Sequence, residues 1–273
     1  MGVGLGARSS EAAAGVGALV SKAKRSWVVL WTLAVADLRA RYGRGRIRLV
    51  KWLFDPFAAV GVYLLLVTLI LDKQGAAPGL SIACAVVAFQ IVLMTMVNAM
   101  DAYNSRSTTV LNMGFPRLLI PAASTLTESI AFAGSLLLLV LMMVIYGVSI
   151  TVSILWFPLV LAINLLFAVA CAYPVTLMGV WYPDMKPFVL SVSRTAFFLA
   201  PSLIPLSQIT GAVSDWIKLN PLTGLFEGYR DALLYGQAPA AWELLYPLAI
   251  SLLLLSFFVP LYRREQLHLA KMI

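Results

Sequence analysis

The chain has 273 residues, of which 61% are hydrophobic and only 12% charged, with a mean hydropathy of +0.91. Soluble domains carry about 25% charged residues, so this composition excludes a soluble globular protein and points to one membrane domain with no separate soluble one. The net charge of +8 lies beside hydrophobic stretches, where it sets orientation and meets anionic lipid rather than nucleic acid. The single histidine, His268, sits in the C-terminal tail, and Cys84 and Cys171 lie within apolar stretches, which leaves no histidine-based triad, no multi-histidine metal site and no expected disulfide.

In chain order, residues 1–23 read as a disordered cytoplasmic tail, Gly-, Ala- and Ser-rich and without the apolar core of a signal peptide. Residues 24–51 form an amphipathic helix and a basic connector. Trp27, Leu30, Trp31, Ala34 and Leu38 fall on one face at helical spacing, with Lys24, Arg25, Asp37, Arg39 and Arg41 on the polar side. Tryptophan at such a boundary favours the headgroup layer, so the helix is expected to lie in the cytoplasmic interface. A transmembrane domain follows over 52–262. A helix needs about 20 apolar residues to cross a bilayer, and six stretches qualify: 53–71, 80–100, 122–147, 154–180, 188–206 and 243–262. Residues 263–273 form a cytoplasmic tail. With both termini inside, most of the arginines and lysines face the cytoplasm and only Lys73, Lys218 and Arg230 face outward, as the positive-inside rule requires.

The connections are unequal. Residues 148–153 make a tight outer turn. Residues 207–242 are long and hold apolar pieces too short to span, suited to short helices dipping into the outer leaflet under protein cover. There Asn220 and Pro221 look like the cap and first turn of a helix, and Glu227, Arg230 and Asp231 share a face. That helix is expected to be half-buried, its charges partnered by one another, by a second subunit or by sugar hydroxyls, and to act as an outer gate. Two charges fall within spans, Glu128 and Arg194, each about 10 Å from an inner helix end at 1.5 Å per residue. Such residues usually face protein or water. Three roles stay open for Arg194: pairing with Glu128, meeting the pyrophosphate of a lipid carrier, or snorkelling to the headgroups. The basic run from Arg39 to Lys51, Arg41 included, fits orientation alone or collection of an anionic lipid-linked substrate. Tyr63, Phe197 and Phe198 are candidates for stacking on sugar faces, with packing as the alternative. Small residues within the spans permit close helix approach. A polymer-wide path fits best on the axis of a symmetric homodimer.

No lysine follows a glycine, so the chain has no phosphate-binding loop of the G-x-x-x-x-G-K type; it is no enzyme, holds no cofactor, and any ATP hydrolysis belongs to a partner. The inner connection Phe115-Pro116-Arg117-Leu118-Leu119-Ile120-Pro121 is stiffened by its two prolines. A second inner connection, Trp181-Tyr182-Pro183-Asp184-Met185-Lys186-Pro187, fits either a contact element or an aromatic pair followed by a turn.

Three ordered segments carry a family resemblance. They are Asp37-Leu38-Arg39-Ala40-Arg41-Tyr42 followed by Trp52 and Pro56; Phe115 to Pro121; and Leu219-Asn220-Pro221-Leu222-Thr223 continuing through Gly228-Tyr229-Arg230-Asp231-Ala232-Leu233-Leu234. Over roughly residues 27–262 the chain resembles the ABC-2 permeases that export O-antigen, teichoic acid and related polysaccharides. Its Gly-, Ala- and Arg-rich character further resembles actinobacterial members, including the mycobacterial galactan permease. One departure is the stretch Gly45 to Lys51, more basic than the family's usual Leu-Gly pair.

The resemblance implies an all-α membrane protein of type V ABC transporter architecture, six spans preceded by the interface helix. It implies two copies of an ATPase subunit, which bind ATP and Mg, contacted through Phe115, Pro116, Arg117, Asp184 and Lys186. The cargo would be a polyprenyl-pyrophosphate-linked glycan crossing the bacterial plasma membrane. An ABC-2 permease for a drug or simple lipid is the alternative, and a membrane enzyme or scaffold outside the ABC class the third; the missing carboxylate pairs argue against the enzyme.

Overall fold

The computed structural model describes residues 24, 26–40, 47–65, 77–102 and 118–269. Phe115, Pro116, Arg117 and Arg41 lie outside them, as does the far end of the first expected span. The described residues are helical, with no strand among them. Among the described residues, four helical stretches are long and apolar enough to cross a membrane: Pro78–Asp101, Leu119–Ile145, Val152–Trp181 and Ala241–Glu265.

Residues 26–40 form α1. Ala34 is fully buried while Trp27 and Trp31 are exposed, and Thr127 of a later helix donates to the Asp37 carboxylate at 3.2 Å. Helix α2 runs over Ile47–Leu65. Helix α3 (Pro78–Asp101) is the centre of the bundle, buried over most of its length. Its small residues explain how: Ala83, Ala85 and Ala88 are each fully buried and let neighbours close in. Pro78 opens the helix after Ala77, which adopts a left-handed φ of 49°. The Gly79 amide donates to the Tyr146 hydroxyl at 3.2 Å, and a Cβ on Gly79 would meet that same ring.

Helix α4 (Leu119–Ile145) ends in the expected outer turn, where Gly147 takes a φ of 64°. A short 3-10 turn leads into α5 (Phe157–Trp181), which packs on both α3 and the last helix. At its C-terminal end the contact with α3 is backbone to backbone: a Cβ on Gly179 would lie 2.2 Å from the Met100 carbonyl oxygen. Asn164 stands mid-helix and fully buried, donating to the Ala88 carbonyl at 3.2 Å and to the Tyr229 hydroxyl at 3.1 Å.

The fifth expected span differs. Helix α6 covers only Lys186–Leu199, 14 residues, or about 21 Å at 1.5 Å per residue. Pro201 and Pro205 stop it, since proline cannot donate to the ladder and clashes with the preceding turn. Residues 200–205 are irregular, α7 (Ala212–Lys218) follows, and then α8 (Pro221–Arg230) with a π-helical turn at Asp231–Tyr235. Helix α9 (Ala241–Leu269) is the last described element and is little buried.

Candidate functional site

Glu227, Arg230 and Asp231 of the outer segment are built into the core rather than onto a half-buried face, whereas Asp215 and Lys218 pair with each other at the surface. Asn220 caps α8, its side-chain oxygen accepting from the Leu222 amide at 3.1 Å, and Pro221 takes the first turn. Every residue from Leu222 to Arg230 is buried. Leu222, Leu225, Phe226 and Tyr229 pack into the main hydrophobic cluster with Val87, Phe89 and Phe197. The reason is position: α8 lies between α3 and α9 instead of on their rim. A Cβ on Gly224 would stand 2.7 Å from the Glu243 carbonyl oxygen, so α8 crosses α9 at glycine.

Arg230 is 0% exposed and Glu227 only 6%. The guanidinium Nη1 donates to the Glu227 carboxylate at 2.6 Å and to the Pro201 carbonyl at 2.6 Å; Nη2 donates to the Ser202 carbonyl at 2.9 Å; Nε donates to Ser81 Oγ at 3.0 Å. Glu227 also accepts from the Leu206 amide at 3.0 Å. Asp231 accepts from Gln237 Nε2 at 2.8 Å and shares a hydrogen bond with the Glu243 carboxyl. Burial pushes the Asp231 carboxyl above the usual carboxylate range.

Within the membrane the three expected aromatics come together. Phe197 lies 5.6 Å from Tyr63 and 5.3 Å from Phe198, ring centre to ring centre, and stacks on Phe89 at 4.5 Å. Phe197 is core, while Phe198 is exposed and lines an apolar cavity of about 210 Å³ with residues 199–204, Ile209 and Ile217. Glu128 and Arg194 do not pair. Glu128 is buried and accepts from Asn98 Nδ2, whereas Arg194 is exposed on α6. The two residues sit at similar distances from the starts of their helices, but the rotation of each helix about its axis turns them to different neighbours.

At the end of the bundle away from Arg230, Asp184 is exposed on the short turn Pro183–Met185, beside exposed Trp181 and Tyr182. Lys186 opens α6 and forms an ion pair with Asp101 at the end of α3, both side chains partly exposed. No group of residues suited to holding a metal occurs among the described residues. Sequence reasoning missed Ser81, Asn98 and Asp101 as partners. A serine, an asparagine and an aspartate in or at the end of an apolar span were the available signal, since polar groups there need internal partners.

Among the described residues, four membrane-length helices with one of them buried at the centre define a multi-pass α-helical membrane protein. The chain is 27% identical over 230 residues to the O-antigen export system permease protein RfbA of Myxococcus xanthus, covering 83% of this chain and 88% of the relative. It is 20% identical over 201 residues to the protein of the same name from Klebsiella pneumoniae, covering 73% and 78%. No family model matches. Over most of its length the chain is thus similar to O-antigen export permeases.

Proposed function

We propose that this chain is the permease of an ABC exporter that moves a polyprenyl-pyrophosphate-linked polysaccharide, a cell-wall galactan or an O-antigen-like glycan, outward across the bacterial plasma membrane. The observation that carries the proposal is the relatedness to polysaccharide-export permeases along 83% of the chain. Such an exporter needs a nucleotide site, and the sequence has no phosphate-binding loop. The energy then comes from a separate ATPase, two copies serving a homodimer of this chain.

In this arrangement α2 and α6 complete six spans, α1 lies in the cytoplasmic interface and both termini are cytoplasmic. The ATPase docks on Phe115, Pro116 and Arg117 and on the turn at Asp184 and Lys186; the exposure of Trp181, Tyr182 and Asp184 supports the second contact. Tyr63 and Phe198 flank the path of the glycan, and Arg41 and Arg194 are the cations available to a pyrophosphate.

Depletion of the protein in its own host tests the proposal. Lipid-linked glycan should build up on the cytoplasmic side, inaccessible to an added glycosidase until the membrane is opened. Normal surface glycan after full depletion contradicts it.

A further inference from the structure

The corner between α8 and α9 is closed by two carboxyls. Asp231 caps the end of α8 and opens the π-helical turn, and Glu243 is the third residue of α9. Between them the chain reverses through Gly236, at a φ of 67°. Asp231 and Glu243 are both buried. Each accepts from a donor on its own side of the corner: Gln237 Nε2 gives to Asp231 at 2.8 Å, and the Ala240 amide gives to Glu243 Oε2 at 3.1 Å. The two carboxyls are also hydrogen-bonded to each other. An ionised carboxylate has no hydrogen to donate, so this last bond needs a proton on one of them.

The charges around the pair point the same way. From α8 come Glu227 and Arg230, from the π turn Tyr235, and from α3, behind Arg230, Cys84. Arg230 is engaged by Glu227 and by oxygens of Ser81, Pro201 and Ser202. From α9 Tyr246 donates away from the pair, to the Leu219 carbonyl, and Asp215 and Lys218 of α7 pair with each other at the surface. Three buried carboxyls thus stand around one buried guanidinium. With all three ionised, like charges would face each other out of reach of water, which is strongly unfavourable. Nor can the corner open slightly to relieve them. A Cβ on Gly224 would stand 2.7 Å from the Glu243 carbonyl oxygen, and one on Gly236 would stand 3.0 Å from Thr151 Oγ1. The Ser153 hydroxyl, on the 3-10 turn Val152–Trp156, holds the Ala232 carbonyl at 3.0 Å.

We propose that Asp231 and Glu243 share one proton and form a pH-sensitive latch across the α8–α9 corner, fastened while the proton is bound and loosened when an alkaline medium removes it. Free carboxyls in the unfolded chain lose their protons above about pH 4. The folded pair keeps one, as the raised Asp231 carboxyl requires. The unfolded state therefore binds fewer protons, and stability falls as pH rises from there until the pair releases its own.

Two measurements on the purified full-length chain in detergent test the latch. The wild type should show the infrared absorption of a protonated carboxyl at pH 7, and both Glu243→Gln and Asp231→Asn should lose it. In each variant a carboxamide N–H replaces the shared proton and an oxygen stays for Ala240 or Gln237. The second measurement is the unfolding temperature from pH 6 to pH 8. In the wild type it should fall with rising pH by at most about 3–5 °C per pH unit, the slope of one proton. Either variant should flatten that fall, and one carries the test if the other fails to fold. A wild type without the carboxyl absorption at pH 7, an absorption that persists in the variants, or variants that keep the wild-type slope would each overturn the latch. No transport enters either measurement, so their failure leaves the export proposal standing.

Discussion

Two ion pairs at opposite ends of α3 handle charge in opposite ways. Beside Ser81, near its start, Arg230 and Glu227 are withdrawn from solvent, 0% and 8% exposed at the side chain, and Arg230 also donates to the Pro201 and Ser202 carbonyls. At the other end of α3, Lys186 and Asp101 pair with side chains 36% and 49% exposed. A buried pair stranded by loss of one partner is costly, whereas an exposed pair contributes little. The buried charges hold the fold; the exposed ones leave a surface available to something else.

The sharpest way to break this contrast is at Arg230. Arg230→Ala leaves Glu227 buried without a cation and should destabilise the protein by roughly 3–5 kcal/mol, read from unfolding in detergent. In a cycle with Glu227→Ala the two changes should be far from additive, because they share one network. Strict additivity would dissolve the buried network into independent contacts.

Backbone contact sets the next effect, at the Asp101 end of α3. Gly179→Leu drives a side chain into the Met100 carbonyl, which a Cβ alone would approach to 2.2 Å. Overpacking of this kind costs about 1–3 kcal/mol, so the variant should unfold earlier than wild type. Unchanged stability would show that α3 and α5 separate freely there.

Ala77→Gly works in the other direction. Ala77 holds a left-handed φ of 49°, strain of roughly 1–2 kcal/mol for a residue with a Cβ and almost none for glycine. Part of that gain is offset by the flexibility glycine adds to the unfolded chain. A net rise in stability of up to about 1 kcal/mol is expected. A fall would mean that the left-handed turn at the start of α3 is not what the solution protein adopts.

The smallest expected effect is Lys186→Ala. Its pair with Asp101 is half in solvent, so stability should change by about 0–1 kcal/mol. Binding of the ATPase, measured by co-purification, should nonetheless weaken if this turn is its docking surface. A large loss of stability, or unaltered ATPase binding, would erase the difference between the two ends.

How far the sequence reached follows the same division. Apolar runs of sufficient length announced the four membrane-length helices, and Asn220-Pro221 announced the start of α8, because caps and prolines act locally. The burial of α8 was not legible in the same way. Its apolar positions 222, 225, 226 and 229 follow helical spacing, but the three charges between 227 and 231 pointed to a half-buried face and left their partners open. Glu227 and Arg230 do partner each other, and full burial is completed by acceptors far away in the chain, Ser81, Pro201 and Ser202. The same limit separated Glu128 from Arg194: residue counting fixed depth along each helix and left rotation undetermined, and rotation delivered Asn98 as the partner. Tyr63, Phe197 and Phe198 were singled out one by one for their chemistry; their gathering into one cluster, with Phe197 as core, is a product of packing.

The export proposal itself is tested most directly by reconstitution. The purified chain and its ATPase, placed together in liposomes loaded with a polyprenyl-pyrophosphate-linked glycan, should move the glycan to the far leaflet only when ATP and both chains are present, and ATP hydrolysis should be absent with this chain alone. Movement without the ATPase or without ATP, or movement of a plain phospholipid or drug in place of the glycolipid, would contradict the account.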